Sequence, residues 1–260
     1  MANATGIGRL WSYRDLVRNL VAKDVKVRYM GAWLGFAWSM VNPLVITLMY
    51  LVIFTYVFPS SQPHFSLYLV TGIIHWILFN QVAVESTEAL VSNAGLLKKI
   101  YFPRLLIPVA RLLTNLMLWI GAIGVYIVVY PLLGGHFSLV QLAYPVYLGI
   151  YLVFLWGISL ILCTLYVDFR DLKHLVEVAI QVLFWSTPIV YPFTRVPERL
   201  HTLMLMSPLV EFTRIFQNLF YLDKLPNLKL TAAFVGWTII VTVLGLWLFN
   251  RRVSGLIERL

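Results

Sequence analysis

From Tyr29 to Val84, and again from Leu112 to Val167, this 260-residue sequence runs for 56 residues without one Asp, Glu, Lys or Arg. A membrane-spanning helix needs about 20 consecutive apolar residues, so each window holds two helices and the turn between them. A soluble domain keeps roughly a quarter of its residues charged; here 12% are, against 60% hydrophobic. The chain is read as an all-α integral membrane protein. A soluble enzyme, a disordered chain and a collagen-like fibre are excluded.

Helix breakers divide the windows. Pro59-Ser60-Ser61-Gln62-Pro63-His64 interrupts the first, and Pro131 with Gly134-Gly135-His136 the second. A fifth apolar run, over 175–193, carries Glu177 near its start and Pro188 near its end; a sixth, over 230–249, is clean. The expectation is one membrane domain of six spans, near 34–58, 65–84, 105–130, 142–167, 175–193 and 230–249, with residues 1–33 as a lead and 194–229 as an outer segment.

The net charge of +9 suits a nucleic acid or a membrane surface, and the hydropathy decides for the membrane. Fifteen basic residues fall before span one, after spans two and four, and after span six; five fall in the outer segment, at Arg195, Arg199, Arg214, Lys224 and Lys229. The positive-inside rule then places both termini in the cytoplasm. No secretory signal is expected, because the basic lead is long and the first apolar run exceeds a signal's core. The single Cys163 excludes an intrachain disulfide and a cysteine-based metal site.

Three segments outside the spans carry patterns. Leu10, Tyr13, Val17, Leu20, Val21 and Val25 form a helical stripe opposite Arg14, Arg18, Lys23 and Lys26, with Ser12 as a cap. Such a helix lies along the lipid interface and can also line a docking surface. The stretch 85–104 is longer than a helix connection needs; Glu85 and Glu88 at its start and Lys98-Lys99 at its end suit a short helix facing a soluble partner. Ser207-Pro208 reads as an N-cap and first helical residue, followed by the stripe Leu209, Phe212, Ile215, Phe216, Leu219 and Phe220. A short helix at or in the outer leaflet follows, with another after Pro197; its functional reading is a gate, whose charged members are Glu211 and Arg214.

Catalytic chemistry is sparse. Mid-span carboxylates and bases, the usual mark of proton and ion pumps, are missing from spans one, two, four and six. His75 reads as a satisfied histidine in span two. Asp168 and Asp171 are three apart and could hold Mg²⁺ against a diphosphate, but no second acidic motif accompanies them, and Arg170 and Lys173 compensate locally. No phosphate-binding Gly-x-x-x-x-Gly-Lys loop is present, so ATP would have to be used by another chain.

Taken in order, several motifs resemble type-2 ABC exporter permeases. They are Lys26-Val27-Arg28-Tyr29 with Leu34-Gly35-Phe36-Ala37-Trp38 and Pro43; Asn93 through Arg104 with Pro108; Tyr166-Val167-Asp168-Phe169-Arg170-Asp171; and Ser186-Thr187-Pro188-Ile189-Val190-Tyr191 with Pro197 and Ser207-Pro208. The set runs from about Leu10 to Arg252, and the most similar branch exports polysaccharide: O-antigen of lipopolysaccharide, teichoic acid or capsule. Ser207 departs from the asparagine frequent there.

The resemblance implies a homodimer of six-span subunits in the bacterial inner membrane, joined to two ATPase subunits that carry the ATP and Mg²⁺, with no cofactor in this chain. It implies ATPase coupling through Arg14, Arg18, Lys98, Lys99, Phe102, Arg104, Asp168, Arg170 and Asp171. It also implies re-entrant gate helices around Pro188, Pro197, Ser207, Pro208, Glu211 and Arg214. A sliding glycan is best held weakly by aromatic faces, and the candidates are Tyr50, Phe54, Phe184, Trp185 and Tyr191. Two alternatives stand beside this one: a small-molecule or drug exporter on the same scaffold, and a metal-dependent transferase acting on polyprenyl phosphate at Asp168 and Asp171.

Overall fold

Each long apolar run forms a helix in the computed structural model, which describes residues 13–59, 62–252 and 255. Leu10 and the Ser12 cap, and the serines 60 and 61 of the first breaker, lie outside the described residues. The helices are α1 (Arg14–Tyr29), α2 (Trp38–Val52, led by a 3-10 turn at Gly35–Ala37 and prolonged by a wide turn at Ile53–Val57), α3 (Phe65–Thr87), α4 (Ala89–Ser92), α5 (Ala94–Lys99) and α6 (Leu106–Leu132). They continue with α7 (Tyr144–Asp168), α8 (Leu172–Ser186), α9 (Glu198–Leu205), α10 (Pro208–Phe220) and α11 (Leu228–Arg252). No strand occurs among the described residues.

Five of these segments are long and apolar enough to cross a membrane: Gly35–Val57, Phe65–Thr87, Leu106–Leu132, Leu139–Asp168 and Leu228–Arg252. α3 is the axis of the bundle. It is covered over nearly its whole length, Asn80 being its one exposed residue, and α2, α6, α7, α8 and α10 all pack on it. α2 is the opposite case: most of its surface is uncovered, with Val45, Leu48, Met49 and Val52 about half exposed or more.

α7 and α11 are the most closely packed pair. A Cβ built on Gly157 would lie 2.9 Å from backbone atoms of Thr242, and one on Gly245 would lie 2.7 Å from the Gly157 carbonyl. Small residues at both positions let the two backbones touch, as membrane helices need when lipid supplies no hydrophobic drive between them. Near their first turns the Tyr147 and Thr231 hydroxyls bond at 3.1 Å; at their last turns Arg252 Nη1 meets Asp168 Oδ2 at 2.9 Å. The two helices therefore run parallel.

That parallel pair assigns a role to α8. The chain leaves α7 at one end of the bundle and enters α11 at the other, so residues 169–227 make the return. α8 has 15 residues, about 22 Å of helix, and is shorter than the run over 175–193 expected from the sequence. It stops at Ser186 because Pro188 follows and drives Thr187 into an extended conformation. Even so, Lys173 at its start bonds Glu88 beyond the last turn of α3, and the Pro188 carbonyl accepts the Tyr68 hydroxyl near the first turn of α3. α8 and two residues after it thus travel the length of α3.

Candidate functional site

At the basic end of the bundle, α1 packs by one face, with Leu20 buried and Arg14 and Arg18 exposed. Asp24 also turns inward, to Arg111 of α6 at 3.3 Å, while Lys23 Nζ donates to Asn93 Oδ1 at 2.8 Å. Arg28 forms an ion pair with Glu85. The sequence reading put Glu85 in the connection after span two; α3 instead continues to Thr87 and Glu85 belongs to it. The carboxylate is tolerated there because Arg28 compensates it.

The connection is two short helices where one was expected. Asn93 separates them in a non-helical conformation, its amide donating to the Ala89 carbonyl at 2.9 Å. This side-chain bond competes with the helix ladder, which is the usual effect of asparagine within a helix. After it, Leu97 and Phe102 turn inward and Lys98, Lys99, Ile100 and Tyr101 turn outward. Phe102, expected to face a partner, is 5% exposed and packs with Leu106; its neighbour Tyr101, missed in the sequence, is 97% exposed. Arg104 is half-buried.

Asp168 and Asp171 lie at and just after the end of α7, on the turn into α8. Asp168 is held by Arg252, Asp171 stays on the exposed turn, and the Arg170 guanidinium lies 5.4 Å from the Tyr166 ring centre. Glu88 receives both Lys173 Nζ, at 2.9 Å, and the Tyr166 hydroxyl, at 3.3 Å. Among the described residues no three His, Cys, Asp or Glu side chains group as metal ligands. The turn is an ion-paired junction linking α7, α8, α11 and the α4 connection.

At the opposite end, α10 turns its whole apolar stripe onto protein. Phe212, Ile215, Phe216 and Leu219 are fully buried. Phe216 stacks on His75 with ring centres 3.7 Å apart, and His75 Nδ1 donates to the Thr71 carbonyl at 2.8 Å while Nε2 takes the Tyr144 hydroxyl at 3.1 Å. The histidine is satisfied, as the sequence suggested. Ser207 and Pro208 occupy the cap and first helical positions as expected, but the Ser207 side chain makes no cap bond; its backbone carbonyl accepts from Val210 and Glu211 instead.

The Pro188 carbonyl is gripped twice, by Tyr68 Oη at 2.7 Å and Gln217 Nε2 at 3.3 Å, which ties the end of α8 to α3 and α10. Pro197 precedes α9 at an exposed position, Glu211 is 3% exposed, and the Arg214 guanidinium lies 5.0 Å from the Phe193 ring centre.

Along the flank, α2, α3 and α8 enclose an open groove of about 380 Å³ lined by Tyr50, Phe184 and Trp185 of the expected aromatics, with Trp76, which the sequence reading missed. Asn80 and Gln181 line it too. Phe54 and Tyr191 lie outside it. Phe54 extends the ring series instead: Phe184 to Tyr50 is 5.6 Å, Tyr50 to Phe54 6.3 Å, Phe54 to Phe65 6.4 Å, Phe65 to Tyr68 5.6 Å and Tyr68 to Tyr221 5.4 Å. Tyr191 lies beyond α8, its hydroxyl donating to the Trp185 carbonyl at 2.9 Å.

A helical membrane bundle with an ion-paired basic end, an amphipathic helix folded in at the opposite end and an aromatic flank suits a permease, and relatives of known role bear this out. No family model matches the chain. Among curated proteins it is 30% identical over 243 residues to the O-antigen export system permease protein RfbA of Myxococcus xanthus, covering 93% of this chain and 92% of that one. It is 32% identical over 238 residues to the RfbA protein of Klebsiella pneumoniae, covering 91% and 92%. The polysialic acid transport protein KpsM of Escherichia coli is 22% identical over 247 residues, covering 93% and 95%. The chain belongs to the O-antigen export permease family.

Proposed function

We propose that this chain is the membrane permease of an ATP-driven exporter that moves lipid-linked polysaccharide of the O-antigen or capsule type across the bacterial inner membrane. The observation that carries this reading is full-length similarity to export permeases of two polysaccharide classes. In this reading two copies form the channel and two separate ATPase subunits supply ATP hydrolysis and Mg²⁺. The chain crosses six times, α8 being the fifth crossing, with both termini cytoplasmic. The partner surface is the exposed Ile100-Tyr101 pair beside Lys98 and Lys99, with Arg14 and Arg18 on α1 and Arg170 and Asp171 on the junction; large exposed apolar side chains rimmed by charge are what a docking site offers. α9 and α10 form the outer gate, and the aromatic series passes sugar rings by stacking.

Expressed with its ATPase in a host lacking its own O-antigen permease, the chain should restore surface polysaccharide, seen as a ladder on gels of extracted lipopolysaccharide, and neither subunit should do so alone. ATP hydrolysis by the purified chain without a partner would overturn the reading.

The crossing number has its own test. Ser92 and Thr202 are both exposed. Cysteines placed there in a Cys163→Ala background should label from opposite faces with an impermeant maleimide. Labelling of both from the periplasmic face would remove the six-crossing arrangement.

A further inference from the structure

Asn80 and Gln181 do not fit a lipid-facing surface. Both side chains are exposed, both line the groove between α2, α3 and α8, and neither has a hydrogen-bond partner among the described residues. Asn80 lies seven residues before the end of α3 and Gln181 nine after the start of α8, so they stand about 10 and 14 Å inside the basic end. At that depth an amide facing hydrocarbon forgoes its hydrogen bonds, which costs several kcal/mol for each unsatisfied group. Something polar must meet them.

The groove indicates what. Its walls beyond the amides are the rings of Tyr50, Trp76, Phe184 and Trp185, and its lining contains no Asp, Glu, Lys or Arg. A sugar has this dual character: its axial C–H face packs against an aromatic ring while its hydroxyls both donate and accept. Asn and Gln carboxamides likewise donate and accept from one group, so they can pair with hydroxyls in either sense. A carboxylate only accepts and an ammonium only donates, and either would trap a chain of opposite charge. A diphosphate or other anion would call for Arg or Lys, and none lines the groove.

We infer that Asn80 and Gln181 are the hydroxyl-binding groups of a sugar subsite whose stacking floor is Tyr50, Trp76, Phe184 and Trp185, at the inner part of the export path. This rests on the proposed polysaccharide export, and it adds a polar element to the aromatic one. The amides set which sugar orientation enters the aromatic series, and the rings carry the chain onward towards Phe54, Phe65 and Tyr68.

The experiment uses the complete permease–ATPase complex in cell membranes. In a Cys163→Ala background, Asn80→Cys and Gln181→Cys should react with 2-sulfonatoethyl methanethiosulfonate, a charged reagent that needs water at the thiol. Relative to the native chain, each modified variant should lose about tenfold or more of its surface polysaccharide, since one missing amide hydrogen bond accounts for about fivefold and the fixed sulfonate also obstructs the groove. Ile240→Cys, on an exposed flank of α11, should stay unreacted as the lipid-facing control. Failure of both groove cysteines to react overturns the inference, because the amides then face lipid or a second copy of the chain.

The double variant Asn80→Leu/Gln181→Leu is then compared with Tyr50→Ala/Phe54→Ala. Loss of export in both supports the subsite. Full export from the leucine pair with loss in the aromatic pair removes the amide role and leaves the aromatic path standing. Full export from both removes the path and the subsite together. If the leucine pair fails to assemble, the thiol reaction decides, since it is read on single cysteine variants, whose side chains are smaller than the native ones and cannot overfill the groove.

Discussion

Gly157→Leu should leave little folded permease. The Cβ that leucine brings would sit 2.9 Å from the N and Cα of Thr242, and a backbone cannot turn aside as a side chain can. α7 and α11 would have to separate, yet they are also fastened at both ends, by Tyr147–Thr231 and Asp168–Arg252. Overpacking a core ordinarily costs about 1–3 kcal/mol, and a backbone collision belongs at the upper end of that range. The measurement is the temperature at which half the detergent-solubilised protein is lost from its size-exclusion peak. Gly149→Leu is the control: it lies on the same helix, and a Cβ there meets nothing within 4 Å. Equal melting of the two variants would show that α7 and α11 do not touch at this point.

The second large effect is expected at Arg111. Its side chain is 16% exposed and pairs with an Asp24 side chain that is 11% exposed, so neither charge is well solvated. Arg111→Met removes one partner and leaves the carboxylate nearly buried. Breaking such a pair costs about 3–5 kcal/mol when no other cation is near. Here Lys23 remains 3.3 Å from Asp24, so the loss should be nearer 2 kcal/mol. Adding Asp24→Asn to Arg111→Met should recover most of that loss, because the stranded charge goes with it. A double variant less stable than the single one would mean that Asp24 stabilises through a different partner. Export should fall with the single variant too, since α1 is then released from α6 while the proposed docking residues on its outer face are unchanged.

The helices of the membrane domain were legible in the sequence because their signal is local. Twenty apolar residues in a row can hide their backbone polar groups from lipid only by forming a helix, whatever their neighbours are. The breakers at Pro63 and Gly134, the Ser207-Pro208 start of α10 and the outward lysines at 98 and 99 are of the same kind: each is set by residues a few positions apart. The amphipathic lead was legible for its exposed basic face, Arg14 and Arg18.

Other features depend on partners distant in the chain, and the sequence misled there. Glu85 was given to a connection because a carboxylate ends an apolar run; Arg28, 57 positions earlier, makes it acceptable inside α3. Phe102 was assigned outward and Tyr101 overlooked because one residue of register in a loop has no periodic signal. The α10 stripe read as a helix at or in the outer leaflet, since its spacing is the same whether it faces lipid or protein; its rings pack on His75 and Tyr144 instead.

The sequence by itself determined that this is an all-helical membrane protein, where most of its long apolar helices begin and end, and which end is basic. These follow from hydrophobicity and backbone hydrogen bonding within single segments. Only the tertiary structure decided that α8 travels the length of α3 despite its 15 residues, that Asp168 pairs with Arg252, and that Asn80 and Gln181 share a groove with four aromatic rings. Those depend on which helix faces lie together. A helix's own pattern states how much of it is apolar, but not which neighbour covers it.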